Sequence, residues 1–499
     1  MRTILERLAA GAARWEVLQQ RPAYRLGGVG LGLAFLAIIL LSDPPAGLSR
    51  IGWRTLGVTG LMAAWWLGGV LPITVTALVP LIAFPLLGVA TIKETAVPYA
   101  NPLVFLMLGG FVIGRAMESV GLHERIVAGL LRSDAARRSP RWRLLALMVA
   151  TGVLSGLVSN TATTVMLLPL ALTLAPTHVA NPARVRSAFA LGLAYSASIG
   201  GVSTLVGTLP NAVFAGVLLE TTGREVGFAD WLFVGVPFSM VAVPVAWWVV
   251  TRLLVPDTRG ELAEAPDTPP WRPGEPAVVA VIAMATAAWL FRKPLDLGGG
   301  FVIPGWSAST GLEGLVDDAW VAVFAAVALF LVPMRREGRP SFVMDFADVE
   351  RNIPWSVLFL LGGGFALSAQ VKASGLTDWL AQGTDGLAAL PPVVAVGLIC
   401  LGVTFLTELT SNTATTQILL PLLAAGATRA GADPVIWMLP ATISASCAFM
   451  MPVATPPNAI AAQGAGVSPG DMATAGFVLN VVLAGWATVI AFTLARWAL

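Results

Sequence analysis

The run Ser159-Asn160-Thr161-Ala162-Thr163-Thr164 (SNTATT) interrupts an apolar stretch, and the identical run recurs at 411–416. Apolar residues lead into each copy, Leu144 to Val158 in one case and Val393 to Leu406 in the other, and a second apolar segment containing Leu-Leu-Pro follows. Ser, Asn and Thr are poor in helix interiors and good at helix starts, because their side chains accept from exposed backbone N–H groups. The pattern predicts two half-helices at each copy, with SNT as the break and ATT opening the second. Unwound backbone at membrane depth loses its hydrogen bonds unless it lines a cavity or binds something. Each copy therefore reads as the tip of a hairpin and as a binding site.

Two more blocks repeat in the same order. Phe105 to Leu122 (FLMLGGFVIGRAMESVGL) answers Phe359 to Leu376 (FLLGGGFALSAQVKASGL), and Thr208 to Gly216 (TLPNAVFAG) answers Thr455 to Gly464 (TPPNAIAAQG). Paired blocks in one order mean internal duplication. Gly207-Thr208-Leu209-Pro210-Asn211 and Ala454-Thr455-Pro456-Pro457-Asn458 are expected to break two further helices. With an odd number of crossings per half, the second copy enters the membrane from the opposite side, as in inverted-repeat carriers.

The chain has 499 residues, 56% of them hydrophobic and 12% charged, with a mean hydropathy of +0.79. That excludes a soluble protein and predicts an all-α integral membrane protein of about eleven spans, each of roughly 20 residues. Arginines gather in Met1 to Arg25, Arg132 to Arg143, Arg184 and Arg186, Arg252 to Arg272, and Arg335 to Arg351. By the positive-inside rule these loops face the cytoplasm, which gives a multi-pass inner-membrane protein with its N-terminus inside. Residues 1–25 read as a cytoplasmic amphipathic lead-in without the apolar core of a signal peptide. Residues 26–255 form the first half, with a hairpin around 144–175 entering from inside. Residues 256–276 are a Pro-rich cytoplasmic linker, and 277–499 the second half, with a hairpin around 391–425 entering from outside.

Cys400 and Cys447 lie in apolar segments and read as small buried hydrophobes, while His123 and His178 share no metal-ligand spacing. No paired nucleophile and base, GxSxG or HExxH pattern is present, so an enzyme is not expected. No nucleic-acid partner is expected either. Ser155 and Ser159, like Thr407 and Ser411, are spaced one helical turn apart and are expected to put two hydroxyl oxygens on one face, as suits sodium. No Lys or Arg lies between Arg143 and Arg184, Arg186 and Arg224, Lys372 and Arg429, or Arg429 and Arg496. Helix N-termini at the breaks favour an anion, and two sodium ions would supply the remaining positive charge. Asn160/Thr161 and Asn412/Thr413, on opposite walls, suit a two-ended dianion. Glu408 reads either as a proton or cation partner or as a group packed against a helix end.

In these motifs the sequence resembles the divalent-anion:sodium symporter family of dicarboxylate, citrate and sulfate carriers, over nearly the whole chain. The resemblance implies eleven transmembrane helices with two re-entrant hairpins, a homodimer built through a scaffold domain, and elevator movement of a transport domain. Carried over by motif, one sodium site uses Ser155, Ser159, Asn160 and the Gly207 carbonyl. The other uses Thr407, Thr410, Asn412, Ala454 and Pro456. Substrate carboxylates meet Asn160, Thr161, Thr208, Ser411, Asn412, Thr413 and Thr455. Two positions depart from the family pattern: Leu209 replaces the first proline of T-P-P-N, and Thr410 replaces a small apolar residue. The expected activity is sodium symport of a C4-type dicarboxylate such as succinate, malate or fumarate, with Na+ as coupling ion and no organic cofactor. The alternatives are sodium-independent or proton-coupled dicarboxylate exchange, and sulfate or citrate transport.

Overall fold

The computed structural model describes residues 21–176, 179, 181–255, 267–296, 302–336 and 339–495. Most of the 1–25 lead-in, the 256–266 part of the linker and His178 lie outside the described residues.

Proline punctuates the chain. Pro102, Pro140, Pro182, Pro392, Pro434, Pro456 and Pro469 each open a helix, where the missing N–H would have had no partner anyway. Side-chain caps fix several of these starts: Asn101 accepts from Leu103 N, Asn181 from Arg184 N, Asp433 from Val435 N and Ser468 from Asp471 N.

The duplication seen in three sequence blocks extends through the successive major helices. Pro102–Ser119, Pro140–Ser155, Asn160–Leu174, Pro182–Val202, Leu209–Thr222 and Phe228–Leu254 make the first series. Trp355–Ala373, Pro392–Thr407, Asn412–Arg429, Pro434–Ala445, Pro456–Ala465 and Pro469–Thr493 make the second. The series interlock: Pro182–Val202 packs on Pro456–Ala465, and Leu209–Thr222 packs on Asn412–Arg429. One apolar core runs through both, from Val104 to Ala495. Tyr195, wholly buried in the first series, donates its hydroxyl to Phe449 O of the second at 2.9 Å.

Among the described residues, five helices are long and apolar enough to cross a membrane: Pro22–Leu41, Ile92–Ser119, Phe228–Leu254, Trp355–Ala373 and Pro469–Thr493. A sixth is counted if Leu376–Ala388 and Pro392–Thr407, bent by 115°, form one span. Breaks and turns explain why fewer long helices appear than the apolar stretches suggest, since they leave shorter pieces such as Asn160–Leu174 and Pro434–Ala445. Two short antiparallel pairs, Leu295–Asp296 with Val302–Ile303 and Pro333–Arg336 with Arg339–Phe342, add a little strand to the helical fold. Pro22–Leu41 packs mainly on Arg50–Gly68 and exposes Leu26, Leu31, Ile38 and Leu41, an apolar face suited to lipid. Arg125 pairs with Glu275, Arg272 with Glu124 and Arg115 with Asp348, so the helix Leu122–Leu131 meets the linker's end and the helix Pro102–Ser119 meets the helix Phe346–Asn352.

The hairpin arm Pro140–Ser155 crosses Pro182–Val202 with backbone against backbone. A Cβ on Gly200 would fall 2.5 Å from Gly152 Cα, so only glycine fits. Gly200→Ala is expected to lower stability by about 1–3 kcal/mol through overpacking. Gly129→Ala, where a Cβ meets nothing within 4 Å, should instead hold or slightly raise it through helix propensity. Thermal unfolding of both variants in detergent measures this, and equal melting temperatures would mean the two arms do not touch there.

Candidate substrate and ion site

The first hairpin arm ends at Ser155, the chain turns through Gly156–Val158, and a new helix starts at Asn160. In the second hairpin Pro392–Thr407 stops one residue before Glu408 and Asn412–Arg429 begins after Ser411. The break is therefore the short segment ahead of SNT, and Asn and Thr occupy the first helical turn. Ser159 caps its helix by accepting from Ala162 N at 3.2 Å, and Ser411 does the same for Ala414 N at 3.5 Å. This corrects the expectation that Ser155 and Ser159, or Thr407 and Ser411, share one helical face. They flank a break, because a capping serine must leave the helix to reach back to its first turn.

Asparagine closes each break. Ser155 Oγ lies 2.6 Å from Asn160 Oδ1 and 2.7 Å from Ala197 O. Thr407 Oγ1 lies 2.5 Å from Asn412 Oδ1 and 3.1 Å from Ala445 O. A hydroxyl has one proton for these two acceptors, so each half holds an oxygen-rich cluster that is short of positive charge. Such clusters fit a hard cation. Gly201 makes room for the first one, since a Cβ there would sit 2.5 Å from Asn160 Oδ1.

The second break of each half is held by an asparagine whose role the sequence did not reveal. Asn211 Nδ2 donates to Gly201 O, Val202 O and Thr204 O at 3.1, 3.4 and 2.8 Å. Asn458 Nδ2 donates to Ala448 O and Met451 O at 2.9 and 3.1 Å. These carbonyls lie at the end of a helix or beyond it, where no intrahelical donor reaches them. The available signal was the shared fourth position of TLPN and TPPN. A second missed signal is the repeat of Ser196-Ala197-Ser198 as Ser444-Ala445-Ser446, whose alanines supply the carbonyls beside Ser155 and Thr407.

All four breaks meet at one cavity of about 780 Å³. Its wall includes the N-cap residues of four helices, Ser159, Thr208, Ser411 and Thr455. Asn160, Thr161, Thr208, Ser411, Asn412, Thr413 and Thr455, the expected substrate residues, all line it. Ser159, Gly207, Thr410, Ala454 and Pro456 of the expected sodium sets also reach it, whereas Ser155 and Thr407 lie wholly buried and outside its wall. Trp66, Met107, Phe111 and Leu360 contribute apolar surface, and no charged side chain lines the cavity among the described residues. Each helix N-terminus carries roughly half a positive charge, so the backbone alone makes the cavity receptive to an anion. Leu209 keeps an N–H at the first helical position, while Pro456 and Pro457 lack one at the matching start.

Thr410 Oγ1 donates to Leu406 O at 2.9 Å and lies 2.7 Å from Thr415 Oγ1. Glu408 points away into the core, where its carboxylate accepts from Met450 N, Met451 N and Asn480 Nδ2 at 2.8, 3.0 and 2.7 Å. It ties the hairpin break to the other break of the same half, which is the packed alternative for this residue.

Asn458→Leu keeps the side chain's size and removes the donor that Ala448 O and Met451 O share. The expected result is about a tenfold or greater loss in substrate affinity, from two carbonyls left unpaired at about 1–3 kcal/mol each. Binding of labelled substrate to purified protein reads this directly; unchanged affinity would mean the break holds its shape without Asn458.

Comparison with known proteins places this architecture. Residues 62–442 match the profile of the citrate transporter family. The sodium-dependent dicarboxylate transporter SdcS of Staphylococcus saprophyticus is 32% identical over 484 residues, covering 93% of this chain and 91% of that protein. SdcS of Staphylococcus aureus strain NCTC 8325 is 32% identical over 485 residues, covering 93% and 89%. Among solved structures, the YdaH transporter of Alcanivorax borkumensis superposes with a TM-score of 0.58 at 16% identity, over 87% of this chain and 97% of that one. MtrF of Neisseria gonorrhoeae, described as one of a class of antimetabolite efflux pumps, gives 0.56 at 15% identity, over 93% and 94%. At such identity these two speak for the fold alone. The duplicated SNT hairpins, the uncharged cavity between them and the full-length match to SdcS have one explanation: the chain is a membrane transporter, not an enzyme, and belongs to the divalent-anion:sodium symporter group of the citrate transporter family.

Proposed function

We propose that this protein is a sodium-coupled symporter of C4-type dicarboxylates such as succinate, malate or fumarate. The observation that carries the reading is the cavity itself: four helix N-termini and, among the described residues, no charged side chain around a space of about 780 Å³. The two SNT starts hold one carboxylate each, through Asn160 and Thr161 on one wall and Asn412 and Thr413 on the other, with Thr208, Ser411 and Thr455 completing the polar lining. One sodium ion binds at Ser155, Ser159, Asn160 and the Gly207 carbonyl, the other at Thr407, Thr410, Asn412, Ala454 and Pro456. The oxygen clusters beside Ser155 and Thr407 support this, as do relatives named sodium-dependent dicarboxylate transporters.

In this reading the protomer has eleven transmembrane helices, with the hairpins re-entrant from opposite sides of the inner membrane and the N-terminus in the cytoplasm. Two protomers pair through a scaffold, and the hairpins with their partner helices move against it as an elevator, carrying the site across the bilayer. Cysteines replacing Arg137 and Gln382, both exposed, the former beside the first hairpin and the latter beside the second, should react with an impermeant reagent from opposite faces. Reaction of both from outside intact cells would overturn the inverted arrangement.

Sodium coupling is tested by uptake into proteoliposomes with sodium replaced by potassium or choline, which should abolish accumulation; full uptake in choline driven by a pH gradient would instead favour proton coupling. Substrate choice is tested by competition against labelled succinate at fixed sodium and a pH of about 7.5, where both carboxyls are ionised. Butyrate leaves one set of buried donors unpaired, so succinate should win by about tenfold or more. Sulfate, with its oxygens around one centre, cannot reach both walls equally. If sulfate competes better than every dicarboxylate, or if Thr161→Ala and Thr413→Ala leave the ranking unchanged, the two-walled reading is wrong.

A further inference from the structure

Ser196-Ala197-Ser198 and Ser444-Ala445-Ser446 occupy the same place in the two halves, just ahead of the second break. In each triplet the alanine carbonyl receives the hairpin hydroxyl, from Ser155 at 2.7 Å or from Thr407 at 3.1 Å. The third residue is 2% exposed in both copies, and neither Ser198 Oγ nor Ser446 Oγ has a hydrogen-bond partner among the described residues. Hydroxyls in helices ordinarily satisfy themselves on the carbonyl three or four residues back. Thr151, Thr164, Ser196 and Thr442 do so here. Ser198 and the C-cap residue Ser446 do not, nor do Thr163 and Ser444; Ser198 and Ser446 are distinguished by standing at matching positions of the two halves, although burying an unpaired hydroxyl is costly. An omission repeated at matching positions points to a common cause.

We propose that Ser198 and Ser446 are further oxygen ligands, one for each of the two coupling sodium ions. Ser198 reaches the cavity wall, which Asn160 and Gly207 of the first sodium set also line. Ser446 is the C-cap of Pro434–Ala445, so it stands at the carbonyl end of that helix, where positive charge is favoured. Each is chain neighbour to the alanine whose carbonyl already joins the oxygen cluster. A hydroxyl placed so turns its lone pair to a hard cation, and in the ion's absence has no other protein partner. The assignment rests on the sodium-coupled reading above. The rival occupant of each position is a fixed water molecule bridging to backbone.

The test uses the full-length protein in detergent, without substrate, unfolded thermally across a sodium chloride titration with potassium chloride keeping the ionic strength constant. A ligand that binds only the folded state stabilises it by RT ln(1 + c/Kd) at free concentration c, so the dependence of the sodium-specific rise in melting temperature on sodium concentration reports ion affinity apart from transport. Ser198→Ala and Ser446→Ala are each expected to weaken sodium affinity about fivefold, as for one lost hydrogen bond or ligand contact. In potassium alone their melting temperatures should match the unsubstituted protein, since no partner is lost. In proteoliposomes the sodium concentration for half-maximal uptake should rise by the same factor. If both variants keep their sodium affinity, whether or not they melt earlier in potassium, the hydroxyls serve packing or water and the assignment falls alone. If the unsubstituted protein shows no sodium-specific rise and transports fully in choline, the sodium-coupled reading falls and takes the assignment with it.

Discussion

The structure depends on breaking four helices around one cavity. A continuous helix hides its polar ends at the membrane surfaces, whereas a broken one brings a positive N-terminus and a negative C-terminus to the break. At the cavity, N-termini begin with Ser159, Thr208, Ser411 and Thr455 as caps, and the opposing C-termini end at Ser155, Val202, Thr407 and Ala445. Backbone thus provides both polarities side by side. This explains how a cavity without charged side chains can serve an anion and cations together. It also explains the buried Asn211 and Asn458, which supply donors to the carbonyls that a broken helix leaves exposed.

Neutral walls have a consequence for coupling. A fixed arginine would bind an anion whether or not sodium were present, and would hold it as the site moved. Helix ends offer only partial charge, so a dianion gains most of its stabilisation from mobile cations. A monovalent cation about 5 Å from an anion gains roughly 3 kcal/mol at an effective dielectric of about 20, or about two orders of magnitude in affinity. In the proposed symport that difference is the coupling, and linkage makes it reciprocal. Asn160 and Asn412 are placed to transmit it. Each has its Oδ1 in the oxygen cluster, 2.6 Å from Ser155 Oγ or 2.5 Å from Thr407 Oγ1, while the helix it opens lines the cavity.

The sequence made the duplication and the cavity residues legible because both are written in local signals. Identical SNTATT runs locate helix starts, and TLPN and TPPN locate the second breaks, since capping and proline chemistry act within a few residues. Local spacing failed where a non-local fact decided the outcome. Ser155 and Ser159 have helical spacing, yet Ser159 leaves the helix to cap Ala162 N. Asn211 and Asn458 looked like parts of a turn, because the carbonyls they serve lie several residues earlier on a chain that doubles back. Glu408 was ambiguous for the same reason: its donors, Met450 N, Met451 N and Asn480 Nδ2, come from distant segments.

The halves are similar but not equivalent, and the differences cluster at one place. Gly156 follows Ser155 in the first hairpin where Glu408 follows Thr407 in the second. At the same point in the last helix of each half, Ser239 stands in the first and Asn480 in the second. The changes match: Asn480 donates to the Glu408 carboxylate, whereas Ser239 donates to Ile199 O at 2.9 Å and no carboxylate is present. Thr204 instead donates to Gly156 O at 2.5 Å, joining the two breaks of the first half directly. The second half achieves the same junction with a side chain that accepts from two consecutive amides, Met450 N and Met451 N. When ionised, the Glu408 carboxylate brings a net charge that a neutral hydroxyl does not, which places the oxygen cluster beside Thr407 in a more negative field than the one beside Ser155. In the proposed symport, two ion sites built from the same motif are thereby unequal, and unequal sites fill in an order. The repeat fixes the geometry of both clusters, while the side chains behind them differ, and in the proposed symport that difference sets which cation position is the stronger.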